Sequence, residues 1–134
     1  MNLMETKKIW ANMGVENLDR TTKFYTDLGF KPNGHNANKE LRSFIFGDEN
    51  FIIHFFVKEQ LGKFVPKVAD LSNGNEIIFS ISAQNKEHVD KWAEEVRKAG
   101  GKIFLEPTKY QQGYTFGFSD PDGHKFNVLY WPGM

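Results

Sequence analysis

The stretch Val15–Phe30, VENLDRTTKFYTDLGF, spells out a helix with both ends marked. Asn17 is the predicted N-cap, because its side-chain oxygen can accept from the exposed amides of a first turn. Leu18, Thr21, Phe24, Tyr25 and Leu28 then recur at helical spacing and make one apolar stripe. Gly29 supplies a left-handed stop, and Pro32 prevents continuation. Upstream, Ile9–Val15 alternates as a strand does, with Ala11, Met13 and Val15 on one face and Trp10, Asn12 and Gly14 on the other. Downstream, 31–39 is rich in Asn and Gly (Asn33, Gly34, Asn36, Asn38) and reads as a loop or weak edge strand. Leu41–Phe46 and Phe51–Val57 follow as strands joined by a turn at Gly47–Asn50.

The same order then returns. Glu76–Ser82 is predicted as a strand with Ile77, Phe79 and Ile81 on one face and Glu76, Ile78, Ser80 and Ser82 on the other. Lys86–Ala99 is a helix with Val89, Trp92, Ala93, Val96 and Ala99 on one stripe, closed by Gly100 and Gly101. Lys102–Leu105 and Tyr114–Ser119 read as strands. Asp120-Pro121-Asp122-Gly123 is a turn, with proline where a fixed φ is wanted, and His124–Trp131 is the last strand. Between the halves, Lys58–Gly74 has no period and carries Pro66, so it reads as a linker with one short helical turn. Residue identity between the halves is low; the repeat lies in element order and spacing. The expectation is an α+β chain forming one domain over 1–134, with modules at about 7–60 and 75–134 and a linker at about 61–74. A repeated unit of this kind cannot bury its own core and must pair, and paired curved sheets enclose a cavity.

Bulk properties exclude several classes. The 134 residues carry 17 basic and 17 acidic side chains, a formal net charge of zero, which lacks the basic face a nucleic-acid binder needs. There is no cysteine, so disulfides, thiolate metal sites and thiol nucleophiles are out. No apolar run approaches the roughly 20 residues of a membrane span, and residues 1–8 have no apolar signal core. A soluble, cytoplasmic protein without nucleic-acid or membrane partners is the expectation. Thirteen Phe and three Trp are enough to fill a core and also line a pocket.

Two stretches carry a resemblance. Val15–Phe30, with its F-Y-x-D-L-G-F, and Phe118–Tyr130, FSDPDGHKFNVLY, resemble the vicinal oxygen chelate superfamily of glyoxalases, bleomycin-resistance proteins and extradiol dioxygenases. The resemblance covers nearly the whole chain. It implies two βαβββ modules forming an open, eight-stranded, barrel-like mixed sheet with helices outside, assembled as a homodimer. It also implies a divalent metal held by strand residues of both modules. By register with the motifs, those positions here are Trp10, His54, Glu76 and Asn127. Only His54 and Glu76 are ordinary ligands. The indole of Trp10 offers no lone pair, and the amide oxygen of Asn127 suits hard cations better than zinc or nickel.

The candidate site follows from that register and from strand alternation. His54 shares a face with Ile52 and Phe56, and it reads either as a buried, hydrogen-bonded histidine or as a cavity-lining base. Glu76 alone would be an exposed strand end; the resemblance moves it into the cavity, with His54 as its natural hydrogen-bonding partner and the two as tentative catalytic residues. Trp10, Asn12, Ser80, Asn127, Leu129 and Trp131 fall on the inward faces, where the tryptophans stack on a flat ligand or merely fill space. His35, His88 and His124 read as surface residues. The Asp120–Gly123 segment lacks the later ligands of a calcium loop, so it is a turn. The expectation is therefore a small-molecule-binding protein of the bleomycin-resistance kind, holding a flat or aromatic compound without a metal. The alternative is a metal-dependent lyase/isomerase or dioxygenase with a reduced site of His54, Glu76 and Asn127.

Overall fold

The computed structural model describes residues 6–34 and 38–133. His35 and Asn36 lie outside the described residues. Among the described residues, eight strands and three α-helices follow in the order β1 (Trp10–Val15), α1 (Leu18–Asp27), β2 (Lys31–Pro32), β3 (Leu41–Phe46), β4 (Phe51–Val57), α2 (Lys58–Leu61), β5 (Ile78–Ser82), α3 (Lys86–Lys98), β6 (Lys102–Tyr110), β7 (Gly113–Ser119) and β8 (Lys125–Tyr130). A 3-10 turn at Leu71–Asn73 precedes β5. The strands form two four-stranded mixed sheets of identical topology, β1-β4-β3-β2 and β5-β8-β7-β6, not closed into a barrel. In each, the first strand runs parallel to the last and the remaining pairs are antiparallel. This is the α+β, two-module arrangement that the repeat predicts. Among the described residues no helix is long and apolar enough to cross a membrane.

The helix ends behave alike. Gly29 and Gly100 each take a positive φ, +91° and +90°, right after the last helical turn, where a side chain would be strained. Asn85 caps α3, its side chain accepting from the amide of His88, while the His88 ring accepts from the amide of Gln84.

Contacts divide the chain into two compact units, 1–18 with 30–68, and 19–29 with 69–134. The first holds the sheet β1–β4. One of its sides buries Val15, Phe44, Phe46, Ile53 and Phe55, with Phe44 edge-on to Phe55 at 6.4 Å. Leu61 of α2 closes over Gly14, where an added Cβ would meet the Leu61 methyl at 3.0 Å. The second unit holds the sheet β5–β8, α3 and most of α1. Phe118 and Phe126 stack at 5.2 Å, and Trp92 from α3 stacks on Phe118. From α1, Phe24 tilts against Phe118 and Tyr25 against Phe126. The Tyr25 hydroxyl donates to Asp120 Oδ2 at 2.7 Å, and Asp120 Oδ1 accepts from the amides of Asp122 and His124. That buried carboxylate thus ties the Asp120–Gly123 turn to a helix from the other end of the chain.

Several predicted strand boundaries move. β5 begins at Ile78, so Glu76 is an exposed residue ahead of the strand. β8 runs Lys125–Tyr130, leaving His124 and Trp131 flanking it. β6 continues past Leu105 to Tyr110 through Pro107, because register shifts after Ile103 and Leu105 release the ladder where a proline cannot donate.

Candidate functional site

Strand alternation places the site. In the first unit, Trp10, Asn12 and Gly14 of β1 lie beside Ile52, His54 and Phe56 of β4, and the row continues through Leu41, Ser43 and Ile45 of β3. Side chains of this face line a cavity of about 780 Å³. Its apolar wall is Ile9, Trp10, Ile45, Phe51 and Ile52, and His54 lies among them. Lys7, Lys8, Asn33, Glu49 and Asn50 supply the polar side. Asn50 stands at a positive φ of 59° in the β3–β4 turn, one of the few backbone positions where asparagine replaces glycine readily.

His54 sits between two aromatic edges, Trp10 at 6.5 Å and Phe56 at 6.1 Å. Burial lowers its pKa from the usual 6.5, so the ring is neutral at pH 7. Nδ1 is buried without a hydrogen-bond partner among the described residues. A buried N–H left unpaired costs more than a buried lone pair, so the proton belongs on Nε2. In that tautomer His54 offers a donor to a bound molecule. Beside it, Ser43 is buried, and its hydroxyl oxygen accepts from Asn33 Nδ2 at 3.1 Å.

The second unit carries the corresponding row differently. Ser80, Asn127 and Gly117 lie side by side across β5, β8 and β7. Ser80 Oγ donates to Asn127 Oδ1 at 2.6 Å, and Asn127 Nδ2 approaches Thr115 Oγ1 at 3.5 Å. Thr115 in turn donates to the Val128 carbonyl at 2.8 Å. The Phe104 ring lies on Gly117, where an added Cβ would meet it at 2.6 Å. Leu129 stands between Ser82 and Thr115, and the Trp131 ring packs against Tyr110 at 6.3 Å.

Among the residues singled out from sequence, the first-unit cavity therefore gathers Trp10, Ile52 and His54. Asn12 is the exposed register neighbour of His54, and Phe56 is buried between His54 and Phe64 rather than along the cavity. Glu76, Ser80, Asn127, Leu129 and Trp131 belong to the second unit. Sequence reading missed Lys7, Lys8, Glu49 and Asn50, which lie in stretches without period. It passed over Ile45, whose place on the row of Ile52 and His54 follows from the β3–β4 register, while Phe51 lies on the opposite row, as read, and still borders the cavity.

The donor set does not fit a glyoxalase-type divalent metal. At the four positions implied by the motifs, Trp10 has no lone pair. The Asn127 oxygen already accepts from Ser80, and Glu76 is exposed ahead of its strand. By the register of the repeat, Ile78 stands where Trp10 does in the first half, since Ser80 pairs with Asn127 as Asn12 pairs with His54. Among the described residues no three His, Asp or Glu side chains are grouped to hold an ion.

Comparison with known proteins agrees with the fold. Among solved structures, the hypothetical protein SA1046 from S. aureus matches with a TM-score of 0.84 and 28% identity over 95% of both chains. The fosfomycin resistance protein FosX from Mesorhizobium loti matches at 0.69 with 17% identity, covering 97% of this chain and 96% of its own. Lactoylglutathione lyase from Agrobacterium tumefaciens matches at 0.67 with 19% identity, covering 96% and 98%. At such identities the latter two show the fold alone. No curated protein matches the chain. The family model for the Glyoxalase/Bleomycin resistance protein/Dioxygenase superfamily matches residues 9–128, and the chain belongs to that superfamily.

Proposed function

We propose that the protein binds a small, flat or aromatic organic molecule in the first unit's cavity, in the manner of the bleomycin-resistance branch and without a resident metal. The observation that supports it most is the combination of the Trp10, Ile45, Phe51 and Ile52 wall with a neutral His54. An apolar surface with a few fixed polar atoms is what orients a small ligand. With its proton on Nε2, His54 acts as a donor to a carbonyl or anionic oxygen and not as a base. In this reading the protein works in the cytoplasm as a homodimer, so sedimentation should return twice the 15.5 kDa chain mass.

Calorimetric screening of flat organic compounds tests the reading: binding should appear for the wild type and weaken in Trp10→Ala. A second reading, a metal-dependent lyase/isomerase or dioxygenase, draws on the unpaired Nδ1 of His54. Elemental analysis of protein purified without chelator separates the two. Near-stoichiometric metal that is lost in His54→Ala would establish the second and overturn the first.

A further inference from the structure

The charge around the cavity is lopsided. Lys7 and Lys8 lie in the segment leading into β1, on the rim beside Trp10, and both line the cavity. Neither makes an ion pair among the described residues, although other basic side chains do, including Arg20 with Asp122 and Lys58 with Glu16. Against these two positive charges stands one carboxylate, Glu49. The chain as a whole is neutral, so the local excess is a property of this site and not of the surface at large.

The uncharged polar groups lean the same way. His54 presents an N–H once its proton is on Nε2. The side-chain amides of Asn33 and Asn50 add further N–H groups, although one Asn33 hydrogen is engaged by Ser43. Between these donors and the lysines runs the apolar wall of Trp10, Ile45, Phe51 and Ile52. Ligand and wall must therefore match in two respects: a flat apolar body against the wall, and a negative charge within reach of the lysines.

We propose that the natural ligand is an organic anion, a carboxylate on an aromatic or similarly flat body, with its charge held by Lys7 and Lys8 and its ring against Trp10. This rests on the binding reading above and narrows it to a chemical class. A cationic ligand would face two like charges for one partner, and a neutral one would leave the lysines unused.

The test is a matched probe set of naphthoate, naphthamide and naphthylmethylammonium. Each is titrated calorimetrically at low salt into wild type, Lys7→Ala/Lys8→Ala and Glu49→Gln, with circular dichroism confirming the fold. Naphthoate should bind wild type roughly fivefold to tenfold more tightly than naphthamide, the advantage two partly exposed ion pairs give. The double lysine variant should lose that preference while keeping naphthamide affinity, and Glu49→Gln should enlarge it. Added salt should erode it, since partly exposed charges are screened. Equal affinity for naphthoate and naphthamide, tighter binding of the ammonium probe, or a preference that survives loss of both lysines would overturn the anion assignment while leaving the aromatic pocket standing. Failure of all three probes to bind would remove the pocket reading as well.

Discussion

The rows Asn12–His54–Ser43 and Ser80–Asn127–Gly117 hold the same place in the repeat and treat their polar atoms in opposite ways. In the second unit the row is saturated: Ser80 bonds Asn127, Thr115 bonds the Val128 carbonyl, and the Phe104 ring covers Gly117. In the first, His54 has a buried nitrogen with no partner among the described residues, and a cavity stands beside it. One backbone plan thus yields a row whose polar atoms are paired and a row with an unpaired nitrogen beside a cavity. Buried polar groups are normally paired, so an unpaired one beside a cavity sets this row apart from its saturated counterpart. On the reading proposed above, the saturated row serves stability and the unsaturated one serves binding.

Four measurements can break or sharpen that contrast. The largest effect is expected from Tyr25→Phe, which leaves the buried Asp120 Oδ2 without its donor. Burial holds the Asp120 carboxyl above the usual range and the Tyr25 hydroxyl well above its own. Denaturant unfolding should show a loss of about 1.5–3 kcal/mol, the cost of orphaning a charge-assisted bond, with ligand affinity unchanged. Loss of binding instead would mean that the two roles are not divided as described.

Next, Trp10→Ala should weaken binding of a flat ligand by about 1 kcal/mol or more, the part due to ring contact beyond buried area. Trp10 is 53% exposed, so the melting temperature should hardly move. Phe104→Ala should follow, uncovering Gly117 and Asn127 at a cost of about 1 kcal/mol for a half-exposed ring. If the second face is closed by Phe104, the variant gains a site for an environment-sensitive dye; an unchanged dye titration would deny that.

The smallest effect is a pH slope. His54 has a folded pKa below its unfolded value, because burial disfavours the charged ring. The unfolded chain then binds more protons across that window, so stability rises with pH through it. Below the ordinary value of 6.5 the wild type should lose stability as the medium is acidified, and His54→Gln should lose less.

Much of the fold was legible because periodicity and caps are local. Phe24 and Tyr25 announce a helix, Gly29 and Gly100 its stop, and alternation sorts Trp10, Ile52 and His54 onto one face. What stayed hidden depends on distant partners. No local pattern says that Tyr25 reaches Asp120, or that Phe104 folds onto Gly117. Pro107 suggests a strand end, yet the bulges around it let β6 run on. Lys7, Lys8 and Glu49 have no period at all, and only the register of β1 against β4 brings the segments that carry them near His54.

The allegiance of α1 sets a limit on how this chain can be divided. Its sequence lies in the first half, yet Phe24 and Tyr25 pack on Phe118 and Phe126 in the second compact unit. A gene encoding residues 1–68 alone would specify a complete sheet carrying a helix with the wrong neighbours. A gene for 69–134 would lack two aromatic side chains of its core. The sequence repeat is therefore not the same division as the compact units, and a cut between residues 68 and 69 strips α1 from the aromatic core it packs on.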